Sequence, residues 1–253
     1  MQRRAFTLIE LLVVVAIIAL LISILLPALS RSRDRAKAVV CASHLHSMGL
    51  AVTMYCQTNN NWLPETGYMH GGGTGRAAFS WFNTMNKEYN NVDVLRCPVD
   101  LSPYWKQPLG GTLRHTSYVS NFYVVVGGVD NPLYLRDKHA YNRLDWIKNP
   151  ANTIFLAELV ETDDALHDGY PVADHVHPEY WLDNGLQYVR QTAAIMISPD
   201  RHINQANYGL LDGHAEGLPF EKTFNLLRLE YLPDGFVDPT NWLFNKYDPT
   251  VSR

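Results

Sequence analysis

The sequence has little positive charge and few charged side chains of any kind. Its 253 residues include 21 Lys and Arg against 25 Asp and Glu, which gives a formal net charge of −4. Nucleic-acid-binding proteins usually carry an excess of basic residues, so we expect no nucleic-acid partner. Hydrophobic residues make up 47% of the chain. That proportion excludes a chain that is disordered throughout, and the length suits one large domain or two small ones.

Common signatures of catalysis and nucleotide binding are also missing. The chain contains no Gly-x-Ser-x-Gly, no His-Glu-x-x-His and no cysteine beside an evident histidine partner. The glycine-rich stretch at residues 71–75 is not followed by Gly-Lys-Ser/Thr, so it predicts a surface loop and not a phosphate-binding loop. These absences favour a protein that is not an enzyme.

The longest apolar run lies at the N-terminus, where residues 6–29 include a single charged side chain, Glu10. A helix of this length spans about 36 Å, which exceeds the roughly 30 Å hydrocarbon core of a bilayer. A secretory signal peptide fits less well, because its apolar region covers about 7 to 15 residues and ends at small residues. We therefore expect one transmembrane segment at residues 6–29.

A short basic leader precedes this segment. Residues 3–12, RRAFTLIELL, resemble the N-terminal cleavage and methylation motif of type IV pilins and type II secretion pseudopilins. In that family a prepilin peptidase cuts on the cytoplasmic side and methylates the new amino group. The resemblance implies cleavage between Ala5 and Phe6 and N-methylation of Phe6, although Ala5 stands where the family usually has Gly.

Glu10 is the candidate assembly residue of this segment. A carboxylate at membrane depth costs about 2.5 to 3.5 kcal/mol on insertion scales, so it is expected to have a functional partner. The resemblance supplies one, because Glu10 becomes the fifth mature residue and faces the charged amino group of Phe6 on a neighbouring subunit. Other pseudopilin subunits are therefore expected partners.

The orientation in the membrane follows from the motif and not from the flanking charges. Arg31, Arg33, Arg35 and Lys37 follow the apolar segment and favour an external N-terminus, but large C-terminal domains translocate largely regardless of charge. The peptidase motif requires a cytoplasmic leader, residues 1–5. We expect a single-pass protein of the bacterial inner membrane, in contact with membrane lipid, with residues 30–253 in the periplasm.

The rest of the chain predicts an α+β, pilin-like fold. Apolar residues recur at helical spacing from Ala38 to Tyr55, which predicts that the helix continues over residues 30–58, with Gly49 allowing close packing. The asparagines at 59–61 are a helix stop. Strand-like runs at 117–126, 153–160 and 193–197 predict an antiparallel sheet, and the pilin resemblance implies that the second half of the long helix packs on it.

Near the C-terminus, His202 is followed by nine residues and then by Asp212 and Gly213. This spacing resembles the H-X9-DG signature found with prepilin-type N-termini in a large group of pilin-like proteins. Asp-Gly favours the centre of a type I′ turn, so we expect a hairpin between strands at 208–211 and 214–218. Asp212 is expected to be structural. For His202, a hydrogen bond that closes the loop and a functional role both remain open.

Three cysteines in an exported domain allow one disulfide. Cys41 and Cys56 lie about 22 Å apart on the predicted helix, whereas a disulfide needs α-carbons within about 7 Å. Cys97 can then form a disulfide with either Cys41 or Cys56, unless all three cysteines are buried thiols. Cys97-Pro98 resembles the Cys-Pro that accompanies a helix cysteine in the H-X9-DG group, and the resemblance implies a Cys41–Cys97 disulfide with Cys56 free.

One group of residues has metal-ligand chemistry. Its zinc-type spacing is incomplete and its carboxylates do not match a calcium loop, so we expect a solvated acidic loop and no resident cofactor. Some pseudopilins bind calcium, and a calcium site stays open as the alternative. The group consists of Glu161, Asp163, Asp164, His167, Asp168, Asp174, His175, His177 and Glu179.

The resemblance to pilins and pseudopilins implies a structural protein, a pseudopilin drawn into a filament that serves type II secretion or a related pilus-like machine. The rival hypothesis is a membrane-tethered periplasmic enzyme or carbohydrate-binding domain that uses a pilin-type leader for export. Coplanar, exposed tryptophans on one groove would favour the rival. The candidates are Trp62, Trp81, Trp105, Trp146, Trp181 and Trp242.

Overall fold

The computed structural model describes residues 8–67, 79–89, 91–125, 141–162, 170–182, 185–226 and 242–249. Its first element is α1, which runs without interruption from Leu8 to Thr58 and includes Pro27. The helix ends at the predicted asparagine stop. Asn60 and Asn61 have φ values of 53° and 64°, a left-handed conformation that asparagine tolerates better than most residues.

A five-stranded sheet forms the centre of the domain. In chain order its strands are β1 (Tyr118–Asn121), β2 (Ile154–Glu158), β3 (His175–Val176), β4 (Ala206–Leu210) and β5 (Ala215–Leu218). They lie in the order β3-β1-β2-β4-β5, and every pairing is antiparallel except that of β1 with β3. The predicted α+β, pilin-like architecture is therefore confirmed.

Short elements and a second, two-stranded sheet surround this centre. The remaining strands are β6 (Phe224–Leu226) and β7 (Trp242–Asn245), which pair antiparallel. The short α-helices are α2 (Trp81–Thr84), α3 (Asn86–Tyr89), α4 (Phe122–Val125) and α5 (Val189–Ala193). Single turns of 3-10 helix occur at Val92–Leu95, Pro103–Trp105, Leu144–Trp146, Pro150–Asn152, Tyr170–Val172, Pro178–Leu182, Leu186–Tyr188 and Phe220–Lys222.

Two of the predicted strands differ from the structure. The run at 117–126 forms β1 and then turns into α4, so its second half is helical up to Val125. The run at 193–197 is not a strand, because it contains the end of α5 and a turn, and only Ile197 makes a bridge, to Leu159. In both cases apolar residues that suit a strand are buried in another conformation by tertiary packing.

The core lies between the second half of α1 and the sheet. Every residue of β1, β2 and β4 is buried, so the centre of the sheet is covered on both faces. The buried residues of α1 start at Cys41 and end at Cys56. α1 approaches β4 closely at Gly209, where an added Cβ would lie 3.3 Å from the side chain of Leu45.

Candidate functional site

The first half of α1 projects beyond the core. Every large apolar side chain from Leu8 to Leu29 is at least 45% exposed, and none of the most apolar stretch is buried. Among the described residues, α1 is the one helix long and apolar enough to cross a membrane. A helix that is apolar all round and unburied is typical of a membrane span. Glu10 lies in its first turn, whereas Ala5 and Phe6 lie outside the described residues.

A cluster of four buried side chains lies where the second half of α1 meets the sheet. We name the thiols of Cys41 and Cys97, the carboxylate of Glu158 and the imidazole of His202 the four-donor cluster. One donor atom from each lies within 4.8 Å of the other three. None of these residues is more than 4% exposed.

Hydrogen bonds connect the members of the cluster. The Cys41 thiol donates to Glu158 Oε1 at 2.9 Å, and His202 Nε2 donates to the same oxygen at 2.8 Å. His202 Nε2 also lies 3.6 Å from Cys97 Sγ. The phenolic oxygen of Tyr118 is 3.0 Å from Cys41 Sγ. The buried carboxylate is thus shared between a thiol and an imidazole.

The sheet and two loops bring the donors together. Glu158 ends β2, directly opposite Tyr118 on β1, and the backbone N–H of Asn207 donates to its Oε2 at 3.1 Å. His202 lies in the turn before β4, where Ile203 and Asn204 have φ values of 53° and 64°. Two consecutive positive φ values define a type I′ turn at the start of the H-X9-DG segment.

A buried ion pair fixes the loop that carries Cys97. Arg114 and Asp100 are both fully buried, and Arg114 Nη2 lies 2.7 Å from Asp100 Oδ2. The same oxygen accepts a hydrogen bond from the hydroxyl of Ser117. The Ser117 hydroxyl oxygen in turn accepts a hydrogen bond from the backbone N–H of Cys97 at 2.8 Å. Asp100 therefore positions Cys97 through Ser117.

Burial and hydrogen bonding shift the ionisation of the cluster. The hydrogen bond with Cys41 lowers the pKa of Cys97 to about 6, against the opposing effect of burial, and His202 adds to the lowering. Burial raises the pKa of the Cys41 thiol. Burial also favours neutral His202, but its hydrogen bonds to Cys97 and Glu158 raise its pKa to about 9. Both shifts favour the charged forms, a thiolate at Cys97 and an imidazolium at His202.

This arrangement differs from a Cys-His-carboxylate catalytic triad. In such a triad the nucleophile and the carboxylate contact different ring nitrogens. Here Cys97 and Glu158 both face Nε2 of His202, and the nucleophile is buried. The chemistry that the cluster supports is thiol pairing or metal binding.

The structure brings the two cysteines of the predicted disulfide together. Cys41 and Cys97 are free thiols in it, with sulfurs within 4.8 Å, and Cys56 is a third buried thiol. The Cys41–Cys97 disulfide stays a prediction. Glu158 was not predicted from the sequence, although a carboxylate at the end of the apolar run TIFLAE indicates a buried charge with partners.

The Asp212-Gly213 end of the H-X9-DG segment packs on α1. The hairpin between β4 and β5 is present, but its loop has three residues, because Leu210 and His214 form the closing pair. Only Gly213 has positive φ there, at 96°, and Asp212 does not, so the predicted type I′ turn at Asp212-Gly213 is wrong. The Asp212 carboxylate accepts the backbone N–H of His214, which is a local structural contact.

Gly49 and Gly213 allow helix and turn to touch. A Cβ added at Gly49 would lie 2.7 Å from the Cα of Gly213, closer than any real contact. His46 Nδ1 donates to the carbonyl oxygen of Gly213 at 2.7 Å. The two ends of the H-X9-DG segment therefore both contact the α1 side of the sheet, one through the four-donor cluster and one through this backbone approach.

Three members of the group expected to be a solvated acidic loop are buried, whereas Glu161 and Glu179 are partly exposed. Asp174 and His175 are fully buried and His177 is 8% exposed, so that expectation is wrong for these three residues. Asp163, Asp164, His167 and Asp168 lie outside the described residues. Tertiary packing of the short strand β3 against β1 explains the burial.

These buried residues form a hydrogen-bonded chain. His175 Nδ1 donates to Asp174, His177 Nδ1 contacts Glu179 at 2.8 Å, and the two Nε2 atoms are 2.9 Å apart. Burial opposes ionisation of Asp174, but hydrogen bonds led by that from His175 lower its pKa to about 2. Burial lowers the pKa of His175. This chain anchors β3 to the segment that precedes α2, through Thr66 and Ser80.

Comparison with known proteins adds one result. Residues 1–26 match the family model described as the prokaryotic N-terminal methylation motif. This match indicates a leader of the type IV pilin kind, which a prepilin peptidase processes, and the apolar first half of α1 is consistent with an N-terminal membrane anchor. None of the curated proteins and none of the solved structures compared is significantly similar to the chain.

Proposed function

We propose that the protein is a pseudopilin, a structural subunit of a type II secretion or type IV pilus-like filament. The observation that carries the proposal is the contrast within α1. Its first half is apolar and exposed on all sides, and its second half is packed into a folded domain. A subunit stored in the membrane and then drawn into a filament needs both properties in one continuous helix.

The methylation motif at residues 1–26 supports the same proposal. Processing before Phe6 removes the leader, including Arg3 and Arg4, and keeps the apolar helix on the mature chain. The N-terminus is then cytoplasmic, and residues 30–253 lie in the periplasm. The partners are prepilin peptidase during maturation, membrane lipid during storage and other pseudopilin subunits in the filament.

Glu10 is the residue on which assembly depends in this proposal. It lies about 6 Å along the helix from Phe6, inside an apolar environment that solvates a carboxylate poorly. The positive amino group of Phe6 on a neighbouring subunit compensates the charge. In hydrocarbon such a pair interacts far more strongly than the about 0 to 1 kcal/mol of a surface ion pair.

The test replaces Glu10 by alanine and measures filament recovery and subunit crosslinking in the native host. Glu10→Ala is expected to insert, mature and fold like the wild type, but to abolish assembly. The matched control is Asp34→Ala, which removes an exposed carboxylate from the same helix beyond the apolar segment. Equal crosslinking of Glu10→Ala and wild type at equal membrane abundance would contradict a filament role.

A pair of exposed tryptophans bears on the rival, a tethered enzyme or carbohydrate-binding domain. Trp62 and Trp146 are 42% and 41% exposed and lie in contact, with Arg143 over both rings. Their planes meet at 65°, so they do not form the coplanar platform that sugar binding would favour. Trp81 and Trp181 are fully buried. The rival hypothesis predicts that Glu10→Ala retains the full function of the wild type.

A further inference from the structure

The four-donor cluster joins residues that are remote in sequence and chemically varied. Cys41 comes from α1, Cys97 from a loop, Glu158 from the end of β2 and His202 from the turn before β4. Folding places two sulfurs, one nitrogen and one oxygen within 4.8 Å of one another, shielded from solvent. Ordinary core packing does not require four such groups at one point.

The donor set is that of a structural zinc site. Zinc in proteins is usually four-coordinate, with Cys sulfur, His nitrogen and carboxylate oxygen as ligands. Two thiolates favour a borderline-soft transition metal over calcium or magnesium, which prefer oxygen. We propose that Cys41, Cys97, Glu158 and His202 bind one divalent metal ion of the zinc class.

The distances fit after small movements. Bonds of about 2.0 to 2.3 Å in a tetrahedral site place neighbouring donor atoms roughly 3.3 to 3.8 Å apart. The sulfur of Cys97 and Nε2 of His202 are 3.6 Å apart. Glu158 Oε1 lies 2.8 Å from His202 Nε2 and 2.9 Å from Cys41 Sγ, which are hydrogen-bond distances. The metal replaces the protons of these hydrogen bonds, and each pair of donor atoms moves apart by less than about 1 Å.

The surrounding charges suit a dication. Two thiolates and a carboxylate carry three negative charges, of which a dication cancels two. The guanidinium of buried Arg201 forms its ion pair with Glu161, at 3.3 Å, and its positive charge also acts on Glu158 and Cys97. Arg201 is held there by the carbonyl oxygens of Ser117 and Leu159. The metal ion thus reduces the charge of the buried donors from −3 to −1, and the nearby guanidinium of Arg201 makes that remaining charge less costly to bury.

Outer hydrogen bonds hold the donors in place. Metal ligands are usually oriented by such partners, whose loss lowers affinity by about 10- to 100-fold. The Tyr118 hydroxyl contacts Cys41 Sγ, and the Asn207 backbone N–H occupies the second oxygen of Glu158. The metal would tie α1 to β2 and to the start of the H-X9-DG segment, which assigns a functional role to His202.

This metal site and the Cys41–Cys97 disulfide exclude each other, because both use the same sulfurs. The deciding experiment uses the full-length protein purified in detergent without reductant or added metal. Metal content is measured by plasma mass spectrometry, and thiol state by alkylation and peptide mapping. Zinc and cobalt(II) titrations follow on protein stripped with a chelator under reducing conditions, and thiolate-to-cobalt absorption reports the sulfur ligands.

The expected result is about one zinc-class ion per chain, Cys41 and Cys97 unlinked, and a tetrahedral thiolate–cobalt spectrum. Cys97→Ser is expected to lower zinc affinity by more than about 100-fold, and Tyr118→Phe by about 10- to 100-fold. The matched control, Cys56→Ser, removes a buried thiol of the same helix outside the cluster and leaves affinity unchanged.

Three results would overturn the proposal. The first is a Cys41–Cys97 disulfide in the isolated protein without bound metal. The second is equal zinc affinity in wild type and Cys97→Ser. The third is a stripped wild-type protein that binds zinc no more tightly than about 10 μM, far weaker than structural zinc sites. If a cysteine variant does not fold, the metal content and the cobalt spectrum of the wild type still decide whether the four-donor cluster binds metal.

Discussion

The two halves of α1 share one backbone conformation but have opposite environments. From Leu8 to Leu29 the helix is almost wholly apolar and has no buried residue, whereas from Cys41 to Cys56 one face is fully buried against the sheet. Backbone hydrogen bonding and helix propensity stabilise both halves in the same way. Only the second half gains from tertiary packing, so the first half needs another apolar environment, a bilayer or neighbouring subunits.

The largest effect that tests this contrast comes from the same substitution made in each half. Leu45 is fully buried and Leu21 is 55% exposed. Leu45→Ala is expected to lower the free energy of unfolding of the domain by about 2 to 5 kcal/mol, since it leaves a cavity under β4. Leu21→Ala should change it by less than about 0.5 kcal/mol. Urea unfolding of the full-length protein in detergent, followed by tryptophan fluorescence, measures both.

A comparable loss in the two leucine variants would mean that the first half of α1 also packs on the domain. The contrast between the halves would then be wrong, and with it the main support for a membrane or filament role of residues 8–29.

A smaller effect is expected at Gly49, where helix and hairpin touch. Gly→Ala inside a helix normally stabilises by about 0.5 to 1 kcal/mol. At Gly49 the new Cβ meets the backbone of Gly213, which cannot rotate away, so Gly49→Ala should instead destabilise by about 1 to 3 kcal/mol. Thermal unfolding monitored by circular dichroism measures the sign. Ser43→Ala, at an exposed position of the same half, is the control and should not destabilise.

A stabilising Gly49→Ala would show that α1 and the Asp212-Gly213 loop are not in close contact. The packing role of the second half would then rest on Leu45 and its neighbours alone.

The smallest effect is expected in the turn that follows His202, away from both halves of α1. Ile203 is a β-branched residue at φ 53°, a conformation that costs such side chains about 1 kcal/mol. Its side chain is 58% exposed, so little packing is lost on replacement. Ile203→Asn should stabilise by about 0.5 to 1 kcal/mol in urea unfolding. Ile203→Val keeps the β-branch and should give no gain; stabilisation by both would point to a different cause.

Local patterns predicted α1 well because its signals are local. The apolar run, the helical spacing up to Tyr55 and the asparagine stop each depend on residues within a few turns. The hairpin between β4 and β5 was predicted, but its turn at Asp212-Gly213 is not type I′. Two consecutive positive φ values occur instead at Ile203 and Asn204, before β4. Loop length, which depends on the pairing register, decided that difference.

The candidate sites were harder to predict because they depend on contacts between distant segments. Cys41 contacts Glu158 and Tyr118, and Asn207 contacts Glu158, only when β1, β2 and β4 are paired. His175 and His177 look solvated in a sequence rich in acids, yet the β1–β3 pairing buries them. Periodicity in one segment carries no information about which segments become neighbours.

The most direct test of the account is the intact mass of the protein extracted from host membranes, combined with N-terminal sequencing. We predict a mature chain that begins at Phe6, carries one methyl group on its amino nitrogen and retains the whole apolar half of α1. The motif at residues 1–26 and the exposed helix both lead to this result. A chain that begins at Met1, or at any residue after Leu29, would contradict it.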